Sequence, residues 1–223
     1  MALSLYHQLL DAPDLKLLID RVQQQLAAEQ QKRQEFYDWL TPEVKAEFIN
    51  GEIVMHSPAK GRHLFANQRL FTLLELYTST QELGVVHTEK ALVALTRNDY
   101  EPDICYWKLE KAKDFDGDTM RHPAPDLVVE VLSLSTEARD RGVKFTDYAA
   151  HGVQEYWIVD PLAQTVETYE LDQDLKRYEP VEPLTIKATL RSGVVAGFAI
   201  PVRAIFDAEA YAAALRGIMG EAN

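Results

Sequence analysis

Two carboxylates stand out by their surroundings. Glu130 lies inside the run Asp126-Leu127-Val128-Val129-Glu130-Val131-Leu132, which reads as a strand. Side chains alternate faces along a strand, so Leu127, Val129 and Val131 share a core face. Asp126, Val128, Glu130 and Leu132 share the other. A carboxylate in the middle of so apolar a strand is costly unless it is paired or bound to metal. Asp103, in Glu101-Pro102-Asp103-Ile104, starts the neighbouring strand-like piece and would lie beside Glu130 if the two strands pair. Two carboxylates converging in this way suit a hard divalent cation with oxygen ligands, Mg²⁺ or Mn²⁺. Such an ion polarises a phosphoryl oxygen and lowers the pKa of a bound water. A lysine nearby would orient that water or stabilise the developing negative charge. The helix after the Glu130 strand offers Lys144, with Asp140, Asp147 and Tyr148 at helical spacing from it.

Each of these residues also has a plainer reading. Asp103 follows a proline and serves about as readily as a turn residue. Glu130 could be one half of a structural salt bridge. Lys144 alone reads as a solvated helix lysine, because lysine is seldom fully buried. Asp126 is explained equally well as a turn residue at the strand entrance or as an added charge near the site. The combination carries the argument. Other chemistries find little support. No Gly-x-Ser-x-Gly elbow or phosphate-binding glycine loop occurs, and the six histidines contain no His-x-x-x-His pair. Cys105 shares the Asp103 face and reads as a buried inert thiol rather than a nucleophile paired with His87 or His122. Tyr156 and Trp157 read as core, not as a base-stacking platform.

The elements that must hold these residues follow from periodicity. Residues 14–39 form a long helix, with Leu15, Leu18, Ile19, Val22 and Leu26 recurring at helical spacing. Its polar second half is expected to project or to pack on a partner chain. Asn50-Gly51 between apolar runs predicts a hairpin. A second helix covers 63–83, its stripe formed by Leu64, Leu70, Leu73, Leu74 and Tyr77. Strands are expected at 84–95, 101–107, 126–132 and 155–159, with a short helix at 140–151 ended by Gly152. Further strands are read at 165–170, 177–181 and 196–202, and a closing helix at 208–219 capped by Asp207. Residues 108–122 read as a charged loop or frayed helix. The fold expected is α/β, a mixed sheet with an α-β-β-β-α-β core. A long helix and a hairpin precede it; extra strands and a closing helix follow. Three segments result: a helical extension at 1–44, the catalytic-type domain at 45–206, and a helix at 207–223 packed on that domain.

The chain has 223 residues and a formal net charge of −12. That argues against a general nucleic-acid coat protein, whose affinity comes from neutralising phosphates. A local basic patch can still work on an acidic body. A single cysteine excludes an intramolecular disulfide. No apolar run of membrane-spanning length occurs and no signal peptide is visible, so the expected location is the cytoplasm, with no membrane partner.

The segment 126–161 resembles a known family. Asp126 to Thr136, then Arg139-Asp140, Lys144, Tyr148-Ala149 and Gly152-Val153-Gln154-Glu155-Tyr156-Trp157-Ile158-Val159-Asp160-Pro161 closely resemble the putative restriction endonuclease domain family. This bacterial family belongs to the PD-(D/E)XK nuclease superfamily. The likeness extends to Asn50-Gly51-Glu52, Ser57-Pro58, Arg62-His63 and Gly197-Phe198, and covers about residues 45–206. It implies a restriction-endonuclease-like core and Mg²⁺-dependent cleavage of phosphodiesters. Asp103 matches the aspartate of the first half-motif and Glu130 the acidic residue of the second. The lysine slot two residues on holds Leu132, and Lys144 matches the position on the following helix to which that lysine moves in this family. Glu52 and His63 match positions the family favours and could complete the metal site, orient a water or touch substrate. Arg62, Arg139 and Arg141 could meet phosphates.

The reading is a metal-dependent endonuclease acting on DNA, with Asp103, Glu130 and Lys144 as catalytic residues and the first two as metal ligands. A homodimer is expected, because cutting both strands needs two sites, and the N-terminal helix is the candidate contact. Alternatives are a catalytically inactive binding or scaffold protein of the same fold, and an RNA-directed nuclease.

Overall fold

The computed structural model describes residues 2–179 and 182–220. The chain opens with α1 (Ala2–Leu10) and α2 (Leu15–Trp39). No glycine or proline interrupts α2, and Pro42 follows its end. β1 (Ala46–Ile49) and β2 (Glu52–Met55) form the expected hairpin. Asn50 and Gly51 make its turn with φ of 51° and 84°, the two positive values that a tight hairpin turn requires. α3 (Gly61–Thr80) comes next, then β3 (Gly84–Thr88), β4 (Leu92–Ala94), β5 (Asp99–Tyr100) and β6 (Ile104–Lys108). α4 (Leu109–Ala112) and β7 (Arg121–His122) lead to β8 (Leu127–Val131). Two short helices, α5 (Glu137–Asp140) and α6 (Val143–Ala150), precede β9 (Glu155–Asp160) and β10 (Thr165–Asp172). The chain closes through β11 (Arg177–Tyr178), β12 (Leu184–Thr185), β13 (Thr189–Arg191), β14 (Ala199–Pro201), α7 (Arg203–Phe206) and α8 (Ala208–Ile218).

The main sheet has the order β11-β10-β9-β8-β6-β3, with β12 on β10. β8 and β9 run parallel, while β3–β6, β6–β8 and β9–β10 are antiparallel. The sequence α3-β3-β6-β8-α6-β9 is therefore the α-β-β-β-α-β core. β4, β5 and β7 are inserted into it and belong to a second sheet of order β2-β1-β5-β4-β7.

Alternation along the main strands divides the core. Ile104, Tyr106, Leu127, Val129, Val131, Trp157 and Val159 pack with Leu70, Leu73 and Leu74 of α3 and with Ala204 and Ile205 of α7. Cys105, Trp107, Val128, Tyr156 and Ile158 face the other way, toward Ile49, Val93 and Tyr100 of the second sheet and Tyr148 of α6. The far face of the second sheet packs Phe48 and Leu92 against Phe36 of α2. Tyr156 and Trp157 are core, as read.

Several local expectations change. The run 84–95 is not one strand: Glu89 and Lys90 adopt positive φ and turn the chain out of the main sheet into the second. The helix expected at 140–151 is broken at Gly142, whose ψ of −101° is not helical. Residues 108–122 contain α4 and β7. Of the strand expected at 177–181, β11 covers the first two positions, and residues 180 and 181 lie outside the described residues. Residue 1 and residues 221–223, at the ends of the outer segments, also lie outside them.

α2 reverses its expected roles. The polar second half docks, and the apolar first half is exposed at Leu17, Ile19, Val22 and Leu26. The reason is that charged partners wait on the second sheet. Arg33 donates to both carboxylate oxygens of Asp99 at 2.6 Å and to the carbonyl of Leu95. Glu29 accepts from Arg97, and the Tyr37 hydroxyl donates to Asp99. Phe36 is fully buried among them.

Phe36→Ala is therefore expected to cost about 3–4 kcal/mol, the usual loss for a buried phenylalanine. Urea denaturation measures it; a loss below about 1 kcal/mol would show that α2 is not integral to the folded unit.

Candidate active site

The antiparallel pairing of β6 and β8 sets Ile104 opposite Val129. One step further along each strand, Asp103 stands opposite Glu130, so both carboxylates project on the same face. The Val131 N–H donates to Oδ2 of Asp103 at 2.8 Å, and Nε2 of His63, at the start of α3, lies 3.2 Å from the same oxygen. Glu130 is bound from α6: Lys144 Nζ donates to Oε1 at 2.9 Å and the Tyr148 hydroxyl at 3.1 Å. Among the described residues, these bonds leave Oδ1 of Asp103 and Oε2 of Glu130 uncommitted.

Lys144 is not a solvated helix lysine. It is 2% exposed, and its ammonium also meets Oε1 of Glu47 at 2.8 Å and Oδ1 of Asp140 at 3.4 Å. Glu47 comes from β1. Its neighbours Ala46 and Phe48 face α2, so strand alternation aims Glu47 across to the main sheet. The backbone N–H of Glu101 donates to Glu47, and His56 Nε2 is 3.5 Å from its other oxygen. Glu47 is a site residue that the sequence reading passed over. The signal was present, since it is a carboxylate between apolar residues of a strand, as Glu130 is.

Three carboxylates thus crowd one ammonium, and Asp103 stands beside them. Burial raises Glu47, but the charge of Lys144 and the contact with His56 outweigh it and hold the carboxyl at about 2. Asp103 is likewise buried, yet His63 and the Val131 N–H keep it below the usual range. Burial lowers Lys144, but Glu130, Glu47 and Asp140 overcome this and push it well up, so the ammonium stays charged. Glu130 carries the imbalance. Burial pushes it well above the ordinary range, Lys144 opposes this, and Asp140, Asp103 and Glu47 add to it. Burial also raises Glu101, to about 7.

The site forms the floor of a cavity of about 810 Å³ lined in part by Asp103, Glu130, Lys144, Glu101, His63 and Arg139. Among the described residues no three or more His, Cys, Asp or Glu side chains are arranged to enclose one metal ion. Two opposed carboxylates are nevertheless the protein share that Mg²⁺ usually takes, with water and substrate phosphate supplying the rest. The excess of carboxylates over cations around Glu130 fits a divalent cation as well.

The other candidates separate. His63 joins the site. Asp126 does not: it lies at the far end of β8, accepting from the Lys108 N–H at 2.9 Å and from Lys111 at 3.0 Å. These contacts sit at the strand entrance, and Asp126 is not among the cavity residues. Glu52 is exposed on β2 and is not among the cavity residues. Arg141 is held by Glu137 and Glu167. Arg62 and Arg139 line the cavity, and among the described residues Nε of Arg139 is buried without a hydrogen-bond partner. Cys105 is buried, and burial pushes its thiol well up. His87 and His122 pack in a separate aromatic cluster with Trp107 and Phe115, where burial lowers His122 to about 4.

Residues 33–203 match the family Uma2, described as "Putative restriction endonuclease". The match starts inside α2, at Arg33, the residue that docks that helix. Two uncharacterized proteins of Synechocystis sp. (PCC 6803) are similar. One, sll1609, is 30% identical over 56% of this chain and 72% of its own length; the other, slr1290, is 29% identical over 65% and 77%. The crystal structure of a putative nuclease belonging to DUF820 from Anabaena variabilis superposes with a TM-score of 0.65, at 19% identity. It covers 78% of this chain and 96% of that one. The fold is thus shared with a structure described as a nuclease.

The raised Glu130 gives a prediction with a definite sign. A carboxyl whose folded pKa lies above its unfolded value favours folding below the unfolded pKa and loses that contribution as pH rises. Glu130→Gln is therefore expected to raise the melting temperature of metal-free protein at neutral pH, with the gain shrinking toward about pH 4.5. Melting curves in chelator across that range decide; a lower melting temperature for Glu130→Gln at neutral pH contradicts the assignment.

Proposed function

This chain belongs to the Uma2 family of restriction-endonuclease-like proteins, and from that premise we propose that it is a metal-dependent endonuclease hydrolysing DNA phosphodiester bonds. The observation that carries this reading is the opposition of Asp103 and Glu130 at the cavity floor, with Lys144 bonded to Glu130. Asp103 and Glu130 would hold Mg²⁺ or Mn²⁺. The chemistry such an ion supplies is polarisation of the phosphoryl oxygen and acidification of a bound water.

The chain's own groups do the rest. His63 and the Val131 N–H hold Asp103 in one orientation. Lys144, anchored on its other side by Glu47 and Asp140, fixes Glu130 and places positive charge where negative charge grows on the phosphoryl group. Arg62 and Arg139 bring guanidinium groups to the cavity wall, where a phosphate can be met. Net charge of −12 keeps nonspecific DNA affinity low, so binding relies on this local set.

Titration calorimetry with Mg²⁺ and Mn²⁺, beside a nicking assay on supercoiled plasmid, tests the reading. Wild type is expected to bind metal and nick, while Asp103→Asn and Glu130→Gln do neither. Folded Lys144→Met is expected to lose about a hundredfold or more in rate, and Asp126→Asn to keep full activity. If wild type binds no metal even with DNA present, the carboxylate pair is structural and the scaffold reading replaces this one. Cleavage of RNA but not DNA would select the RNA-directed reading.

The proposed site of action is the cytoplasm, and no helix among the described residues is long and apolar enough to cross a membrane. The exposed apolar residues on the first half of α2, Val22 and Leu26 among them, are proposed as the contact of a homodimer. Deleting residues 1–40 would also remove Arg33 and Phe36, so a point change is the cleaner test. Val22→Glu is expected to convert a sedimenting dimer to monomer without lowering the melting temperature; an unchanged sedimentation coefficient places the contact elsewhere.

A further inference from the structure

Above the buried carboxylates the cavity has an apolar rim. Leu134, in the turn after β8, is 90% exposed, and Leu162, in the turn after β9, is 72% exposed; both line the mouth. Met55 at the end of β2 and Leu64 in the first turn of α3 line it too and are also exposed. Exposed apolar side chains scattered singly over a surface are ordinary. Here four separate segments each send one to the same opening, and an apolar surface gathered around a polar centre marks a contact site. The floor beneath is recessed: Asp103, Glu130 and Lys144 are each less than 10% exposed.

This arrangement restricts what can reach the floor. An intact duplex presents phosphates outward and keeps its bases stacked, so it offers an apolar rim little to touch. A strand whose bases are unpaired offers their faces, which apolar and aromatic side chains cover, and apolar wedges hold base steps open in many DNA complexes. The cavity volume of about 810 Å³ is in the range of a pocket that encloses a small ligand, which suits an extruded nucleotide. Lys45, Lys60, Arg62 and Arg139 also line the cavity, a short basic set on an acidic body that suits a few phosphates of one strand rather than a long duplex footprint.

Resting on the nuclease reading above, we propose that the substrate is DNA containing an unpaired or unstacked segment, whose bases meet Leu134 and Leu162 while the scissile phosphate descends to Asp103 and Glu130. Leu134 and Leu162 are then specificity-determining residues. Their exposure lets them be changed without disturbing the core.

The test compares three probes of one sequence: a fully paired duplex, the same duplex interrupted by an unpaired bulge containing 2-aminopurine, and the single strand. Binding is read by fluorescence anisotropy with Ca²⁺ in place of Mg²⁺, and cleavage with Mg²⁺. The bulged and single-stranded probes are expected to bind about tenfold or more tightly than the duplex and to be cut at or beside the unpaired segment. Leu134→Ala is expected to abolish most of that preference and to quench the change in 2-aminopurine fluorescence on binding; Leu134→Phe is expected to retain both. Equal binding and cutting of duplex and bulged probes overturns the proposal and leaves the nuclease reading intact. Preferential binding of unpaired probes with no cleavage in Mg²⁺ or Mn²⁺ overturns the nuclease reading while upholding the rim's role. A rim that serves a protein partner instead would leave all three probes indifferent to Leu134→Ala, which also overturns the proposal.

Discussion

The ammonium of Lys144 is buried between two sheets, and the architecture around it is arranged so that this charge can exist there. A lysine taken out of water is stable only where carboxylates surround it with good geometry. Three do, each from a different element: Glu47 from β1, Glu130 from β8, and Asp140 from α5. The hairpin, the central strand and the broken helix are thereby tied at one point. Tyr148 from α6 and the backbone N–H of Glu101 extend the same network. The break at Gly142 separates α5 from α6, and Asp140 and Lys144 come from opposite sides of it.

This arrangement is not the most stable use of the space. Buried ion pairs are often matched or exceeded in stability by apolar residues of similar volume, and here carboxylates outnumber the cations that neutralise them. Both oxygens of Asp140 and one of Glu47 lack a hydrogen bond among the described residues and rely on the longer contacts with Lys144 and His56, which adds to the cost. Perturbed titration behaviour concentrated in a cleft is a feature of functional sites. The contrast with Asp126 is instructive. It is equally buried but sits among the Lys108 N–H, Lys111 and Gln154 and is not among the residues lining the site's cavity. Two acidic residues four positions apart therefore hold different stations, Asp126 just before the strand and Glu130 buried at its cavity end.

The second sheet explains why α2 belongs to the folded unit. β4, β5 and β7 leave the α-β-β-β-α-β path to build a surface whose inner face covers the carboxylate layer and whose outer face receives Phe36. Arg33, through Asp99 and the carbonyl of Leu95, anchors the helix to the ends of β4 and β5. The site is thus supported in depth: helix on second sheet, second sheet on the lysine cluster, cluster on the main sheet.

Much of this was legible in the amino-acid sequence, for a local reason. Strand alternation is a property of the backbone, so the face shared by Glu130 and Leu132, and the oddity of a carboxylate there, can be read without a structure. The same holds for the Asn50-Gly51 turn and for the α-β-β-β-α-β order. What only the tertiary structure decided is non-local. Glu47 meets Lys144 because the second sheet packs across the first, and no spacing along the chain encodes that distance. The excursion at Glu89 and Lys90, which splits one expected strand between two sheets, depends on backbone angles that neither residue type favours. The docking of α2 by its polar half was hidden because hydrophobic periodicity ranks faces by apolar content. In this helix the burial is carried by one phenylalanine and by charges whose partners lie more than sixty residues away. Local pattern determined which residues could do chemistry; long-range packing decided which of them meet.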